Sequence, residues 1–132
     1  MVWDILIDKK EKERKKLLEA FLGEIGENFA LLEKNQQLKD RVWRIANASQ
    51  QLSLLDPECA NIIGKVYEKV SAMNDALTKY ASFITSNPYS SGFKEQKREF
   101  DQFLAWYKGE LGAIMDESRQ RIMRNLQGVE VR

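Results

Sequence analysis

Histidine is absent from this 132-residue chain, and cysteine occurs once, as Cys59. The first absence removes the commonest general acid–base side chain and a frequent transition-metal ligand. A Ser-His-Asp triad and a bundle di-iron site of the Glu-x-x-His type therefore cannot be built. The second excludes an intramolecular disulfide framework and, with no histidine, zinc sites of the usual ligand sets. Two prolines and seven glycines are too few to punctuate a sandwich or barrel of many short strands. No window reaches the ~20 apolar residues of a membrane span, and no basic segment precedes an apolar one as in a secretory signal. Basic and acidic side chains nearly balance, 21 against 20, without the basic excess of a dedicated duplex-binding domain. Glycine-rich phosphate loops are missing as well. Carboxylate pairs such as Glu95 and Glu99 fall on solvated faces, where nothing separates their pKa values. These absences point to a cytoplasmic, non-enzymatic chain with no metal and no cofactor, and make a nucleic-acid partner a poor expectation.

What is present is helical periodicity. Cys59, Ile63, Val66, Val70, Met73, Leu77, Tyr80 and Ile84 alternate steps of four and three, which lays one apolar seam along a helix face. Asp56 is suited to cap that helix, Pro57 to its first position and Glu58 to its positive end. Before it, Leu18, Phe21, Leu22, Ile25, Asn28, Phe29 and Leu32 share a face, with Glu19, Glu24, Glu27 and Glu33 largely off it. Asn28, inside the apolar stripe, reads as a core amide that fixes register. Gly23 and Gly26, three apart, read as a close approach of a neighbouring backbone or large side chain. After Asn35-Gln36-Gln37 the phase shifts by one residue to Leu38, Val42, Ile45, Ser49 and Leu52, which favours a turn over one bent helix. Asn87 to Gly92 is a loop. Phe100, Phe103, Leu104, Tyr107, Leu111, Ile114, Met115, Ile122 and Leu126 make the last core face, with Ser118 a polar member of the same seam.

The pattern predicts an all-α single domain over residues 1–132, an antiparallel up-and-down bundle of four helices near 4–34, 38–54, 57–85 and 93–127. Residues 1–8 form an anchor or N-terminal arm and 128–132 a frayed tail. The second helix is short, so one end of the seam made by the other three is expected to lie uncovered.

Candidate interaction residues lie off the seams. Trp43 and Trp106 either cover core margins or join an exposed patch. Trp3 sits in an apolar opening stretch followed at once by Lys9, Lys10 and further bases. That stretch is either a solvated helix start folding back on the core or an interfacial anchor beside a polybasic run. Arg119, Arg121 and Arg124 complement the last helix's negative end, with phosphate binding as the alternative. Cys59, on a seam, reads as a buried structural thiol. The leading functional expectation is a protein–protein interaction or scaffold module acting through helix faces, on a partner or on itself. A membrane-surface domain at the inner face of the membrane is a second, and a small-ligand sensor with a pocket between helices near Asn28 and Ser118 a third.

The segment Glu24-Ile25-x-x-Asn28-x-x-Leu31-Leu32, with Leu55-Asp56-Pro57, Val66-Tyr67 and Met73-Asn74, resembles small uncharacterised prokaryotic helical proteins in which a membrane anchor and charged residues precede such a segment. The resemblance implies no activity. This chain departs from the pattern in lacking that anchor before Trp3. Were one to precede it, the basic run from Lys9 to Lys16 would place the domain on the cytoplasmic side.

Overall fold

In the computed structural model, residues 2–86, 89 and 91–131 are described, with side chains over 8–86, 89 and 91–128. The chain forms four α-helices, α1 Val2–Glu33, α2 Arg41–Ala48, α3 Pro57–Ser86 and α4 Phe93–Val131, with a 3-10 turn at Gln51–Leu54 between α2 and α3. There is no strand among the described residues. Long-range pairs set the directions. Arg14 of α1 meets Asn125 and the carbonyl of Glu33 meets Lys108, so α1 and α4 are antiparallel. Glu58 meets Arg121 and Tyr80 meets Asp101, so α3 and α4 are antiparallel too. Val42 sits at Glu24, while Ile45 shares a cleft with Leu17, so α2 runs back along α1. The order is up, down, up, down.

The core is one cluster. Leu18, Phe21 and Ile25 of α1, Ile63, Val66, Val70 and Met73 of α3, and Leu111, Met115 and Ile122 of α4 are all at or near zero exposure. α3 opens as its sequence dictates: the Asp56 carboxylate accepts a hydrogen bond from the Cys59 amide at 3.3 Å, capping a helix with proline in its first position. α1 closes by another route. Asn35 adopts a left-handed φ of 54°, the Gln36 amide donates to the Leu31 carbonyl at 3.0 Å, and the Asn35 amide donates to the Leu32 carbonyl at 3.2 Å. This is a Schellman cap with asparagine in the place usually taken by glycine, so residues 34–40 are a turn and a non-helical connector.

Five expectations are corrected. The second helix does not span 38–54: Leu38 to Asp40 lie outside any helix, α2 covers eight residues, and Gln50 at φ 60° breaks it from the 3-10 turn. Its seam is also rotated, since Ala46 is fully buried while Ile45 is 52% exposed; an eight-residue helix with its own entry angle need not keep the phase of Leu38. Glu24 is not a solvated residue but is buried. Nothing lies within 4 Å of a Cβ built on Gly23 or Gly26, whereas one built on Gly64 meets the Trp43 ring at 3.4 Å. The close approach therefore falls on α3. Finally, Phe103 is 46% exposed although in phase with the α4 seam, because α1 has ended before it.

Candidate interaction surfaces

The short length of α2 leaves the connector 34–40 to cover the gap between α1 and α3, and a set of polar side chains holds it there. Asn28 of α1, fully buried, donates from Nδ2 to the Lys39 carbonyl at 2.9 Å and accepts from the Lys39 amide at 2.8 Å. Asn74 of α3 repeats this pairing one residue earlier, accepting from the Leu38 amide at 2.7 Å and donating to the Leu38 carbonyl at 3.0 Å. Each carboxamide thus pairs with the amide and carbonyl of one connector residue, as a neighbouring strand would. Gln37 adds contacts to the Asn74 carbonyl and Thr78 Oγ1. One turn below Asn28, the Glu24 carboxylate accepts from the Val42 amide at 3.1 Å and from the buried Tyr67 hydroxyl at 2.6 Å. It caps α2, whose own N-cap residue, Asp40, makes no side-chain cap. Burial, and then the hydrogen bond to Glu24, push the Tyr67 hydroxyl far above its ordinary pKa. Glu24, Asn28, Tyr67 and Asn74 all belong to the segments quoted for the resemblance above; here they pin a connector. Of the two residues named for the small-ligand expectation, Asn28 has its carboxamide taken up by Lys39. Ser118 Oγ is buried without a hydrogen-bond partner among the described residues.

The two described tryptophans have opposite fates. Trp43 lies at the core margin, its ring 5.4 Å from that of Tyr67 and nearly parallel to it, over Gly64. Trp106 is 60% exposed. It stands on the part of α4 that outruns α1: Lys108 reaches the last carbonyl of α1, and α4 extends on from there back to Phe93, about 22 Å of helix beside α3. Phe83 stacks on Phe93 at 5.1 Å and meets Phe100 at 5.3 Å inside this overhang. On its outer face Phe103 and Trp106 are 6.2 Å apart, both beside Tyr107. A shallow cleft lined by Phe83, Gln96, Glu99, Phe100 and Phe103 borders the pair. Exposed Glu99 and Glu110 flank the two aromatics at four-residue steps, on the same stripe of α4. On the opposite face Tyr80 donates to Asp101 at 2.8 Å and Lys97 approaches it at 3.1 Å; first that hydroxyl, then the ammonium, hold the Asp101 carboxyl below its usual range.

The predicted basic residues divide as well. Arg119 pairs with Asp116 at 3.0 Å and lies over the Phe29 ring. Arg121 pairs with Glu58 at 3.0 Å, while Arg124 is exposed. Lys9 and Lys10 are exposed on α1, and the side chain of Trp3 lies outside the described residues. Cys59 is fully buried, and burial first, then the nearby Asp56, push its thiol from 9.0 up to about 11. It is therefore expected to resist a disulfide-exchange reagent at mildly alkaline pH while the chain is folded and to react fully once denatured. The sign of the pH effect follows. An unfolded thiol ionises near 9.0 while the folded one stays protonated to about 11, so its contribution to stability is intact below pH 9 and declines through that window. Rapid labelling of the folded chain would show the thiol to be accessible.

Among the described residues there is no group of three or more Cys, Asp or Glu placed to hold a metal ion, and no helix long and apolar enough to cross a membrane. Comparison with protein-family models, curated proteins and solved structures finds no match to this chain.

Proposed function

We propose that this chain is a non-enzymatic interaction module that docks an amphipathic helix of a partner protein on the outer face of the α3–α4 overhang. The observation that carries the reading is the exposed pair Phe103 and Trp106, the latter 60% exposed, on a helix hairpin that extends past the end of α1. Buried tryptophan and its aromatic neighbours dominate the energetics of helix docking, and side chains along α4 offer a groove against α3 in which apolar residues at i, i+3, i+4 and i+7 of another helix would seat. Glu99 and Glu110 at the ends of the pair favour a partner with basic residues beside its apolar face. They also weigh against a second copy: an antiparallel pairing of two α4 helices about Phe103 and Trp106 brings Glu99 of one close to Glu110 of the other, and like charges repel.

The test uses a designed leucine–lysine helical peptide and its leucine–glutamate counterpart, titrated into the full chain and followed by calorimetry. The basic peptide is expected to bind and the acidic one not to. Trp106→Ala is expected to weaken binding by at least about thirtyfold, as loss of a hot-spot aromatic does, with the unfolding midpoint nearly unchanged because the side chain is exposed. Equal binding of both peptides, or binding untouched by Trp106→Ala, contradicts the assignment. A dimer that dissociates on Trp106→Ala would replace the partner helix with a second copy.

A further inference from the structure

We infer, resting on that docking reading, that the partner helix is held by an arginine whose guanidinium stacks on Trp106 and forks onto Glu110. Trp106 is 60% exposed, and its two ring contacts are both oblique, at 42° to Phe103 and 61° to Tyr107. Neither covers it as a parallel stack would, so a face of the indole is open to a group from outside. Of the aromatic side chains, tryptophan attracts a cation to its face most strongly. The fold already uses this attraction twice, with the Arg119 guanidinium 4.8 Å from the Phe29 ring centroid and the Lys69 ammonium 5.5 Å from that of Tyr107.

Glu110 follows Trp106 by four residues, so the two side chains are neighbours on the surface of α4, about 5–6 Å apart at Cβ. Helical side chains lean toward the N-terminus, which carries the Glu110 carboxylate over the turn that bears Trp106. By the same rule Glu99 leans away from Phe103 and Trp106, so Glu110 is the carboxylate of the seat. Beside both, Gly109 is exposed and a Cβ built on it meets nothing within 4 Å, which leaves bare backbone as the floor. Glu110 is itself exposed and forms no ion pair with a described base. No base stands three or four residues from it on α4, Lys108 turns to the Glu33 carbonyl, and Lys69 lies over Tyr107. An open indole face and an unpaired carboxylate on adjacent turns suit a flat cation with several donors. Guanidinium supplies a plane for the ring and a fork of N–H groups for the carboxylate, so arginine makes both contacts at once. The ammonium of lysine is a compact, strongly hydrated point charge with neither plane nor fork.

Two designed helical peptides that share one leucine pattern, with arginine or with lysine at every basic position, are titrated into the full chain by calorimetry. The arginine peptide is expected to bind about tenfold more tightly, the scale of one stacked and forked cation. Glu110→Gln removes the charge of the seat, and Trp106→Leu keeps apolar area while removing the ring face. Each is expected to reduce the arginine preference to within about twofold, with circular dichroism confirming that both variants remain folded. The preference, a ratio of two affinities for the same protein, is insensitive to a general loss of binding. Equal affinity for the two peptides, or a preference retained in either variant, overturns the inference while leaving helix docking in place. Binding of neither peptide to the intact chain overturns both.

Discussion

Glu24→Ala is expected to destabilise the fold by about 3 kcal/mol, the sum of a lost charge-assisted hydrogen bond and a buried hydroxyl left without a partner. The carboxylate is 6% exposed and serves two elements at once: it accepts from Tyr67 of α3 at 2.6 Å and from the Val42 amide of α2 at 3.1 Å. Removing it strands the Tyr67 hydroxyl, itself on a residue only 3% exposed, and uncaps α2. For a chain of this length the loss corresponds to roughly 10 °C in the unfolding midpoint. Tyr67→Phe alone leaves the carboxylate buried with one donor fewer, and is also expected to cost stability. The double variant should cost less than the two singles added together, since it removes donor and acceptor together. Calorimetry of the four proteins gives the coupling. Strict additivity would show that the two groups do not depend on each other in solution.

Asn28→Ala and Asn74→Ala are each expected to cost about 2 kcal/mol, from two hydrogen bonds to backbone groups, and to act on different residues of the connector. The Lys39 amide donates to Asn28 and the Leu38 amide to Asn74. Hydrogen exchange should therefore accelerate at Lys39 in the first variant and at Leu38 in the second, each beyond the general loss of protection. In the double variant the connector is released from both helices, and the expected cost of about 4 kcal/mol is a large share of a domain's stability. Exchange that rises uniformly along the chain in the single variants would mean that the asparagines act through core packing and not through the connector. Asn28→Asp keeps the shape and the acceptor but loses the donor to the Lys39 carbonyl, so it should recover part of the loss of protection at the Lys39 amide.

Both predictions concern residues whose roles sequence patterning reads poorly. Asn28 stands out in an apolar stripe, and its reading as a core amide fixing register matches its bond to Lys39. Glu24 is one position off the line through Phe21, Ile25 and Asn28, and a glutamate there reads as solvated, because helical periodicity reports the angle to a core and not what reaches across from another element. The partner that buries it is the start of α2, whose position depends on the connector. Asn74 is equally silent, half-buried on α3 and selected by the Leu38 backbone. One local signal was available: asparagine tolerates left-handed backbone, so Asn35 marks the end of α1 in place of the missing glycine. The tryptophans show the same limit. Trp43 and Trp106 sit alike at the edges of their seams, yet Trp43 is covered by Tyr67 and Trp106 is not, because α1 ends at Glu33 while α4 runs on past it.

Sequence alone determined the all-α class, the long third helix with its Asp56-Pro57 start, and the seams of α1, α3 and most of α4. These follow from short-range chemistry: a 3.6-residue period, a cap, a proline that fits only a first turn. The lack of histidine and the single cysteine likewise bounded the chemistry without any coordinates. Tertiary structure decided what depends on relative helix length and on contacts between segments distant in the chain. It set the break of the second helix into a non-helical connector, the burial of Glu24, and the pairing of Asn28 and Asn74 with successive backbone units. It also left Phe103 and Trp106 bare on an overhang and placed Arg14 of α1 against Asn125 of α4. A helix carries its own periodicity in its residues, but which part of its face stays uncovered is fixed by where its neighbours stop.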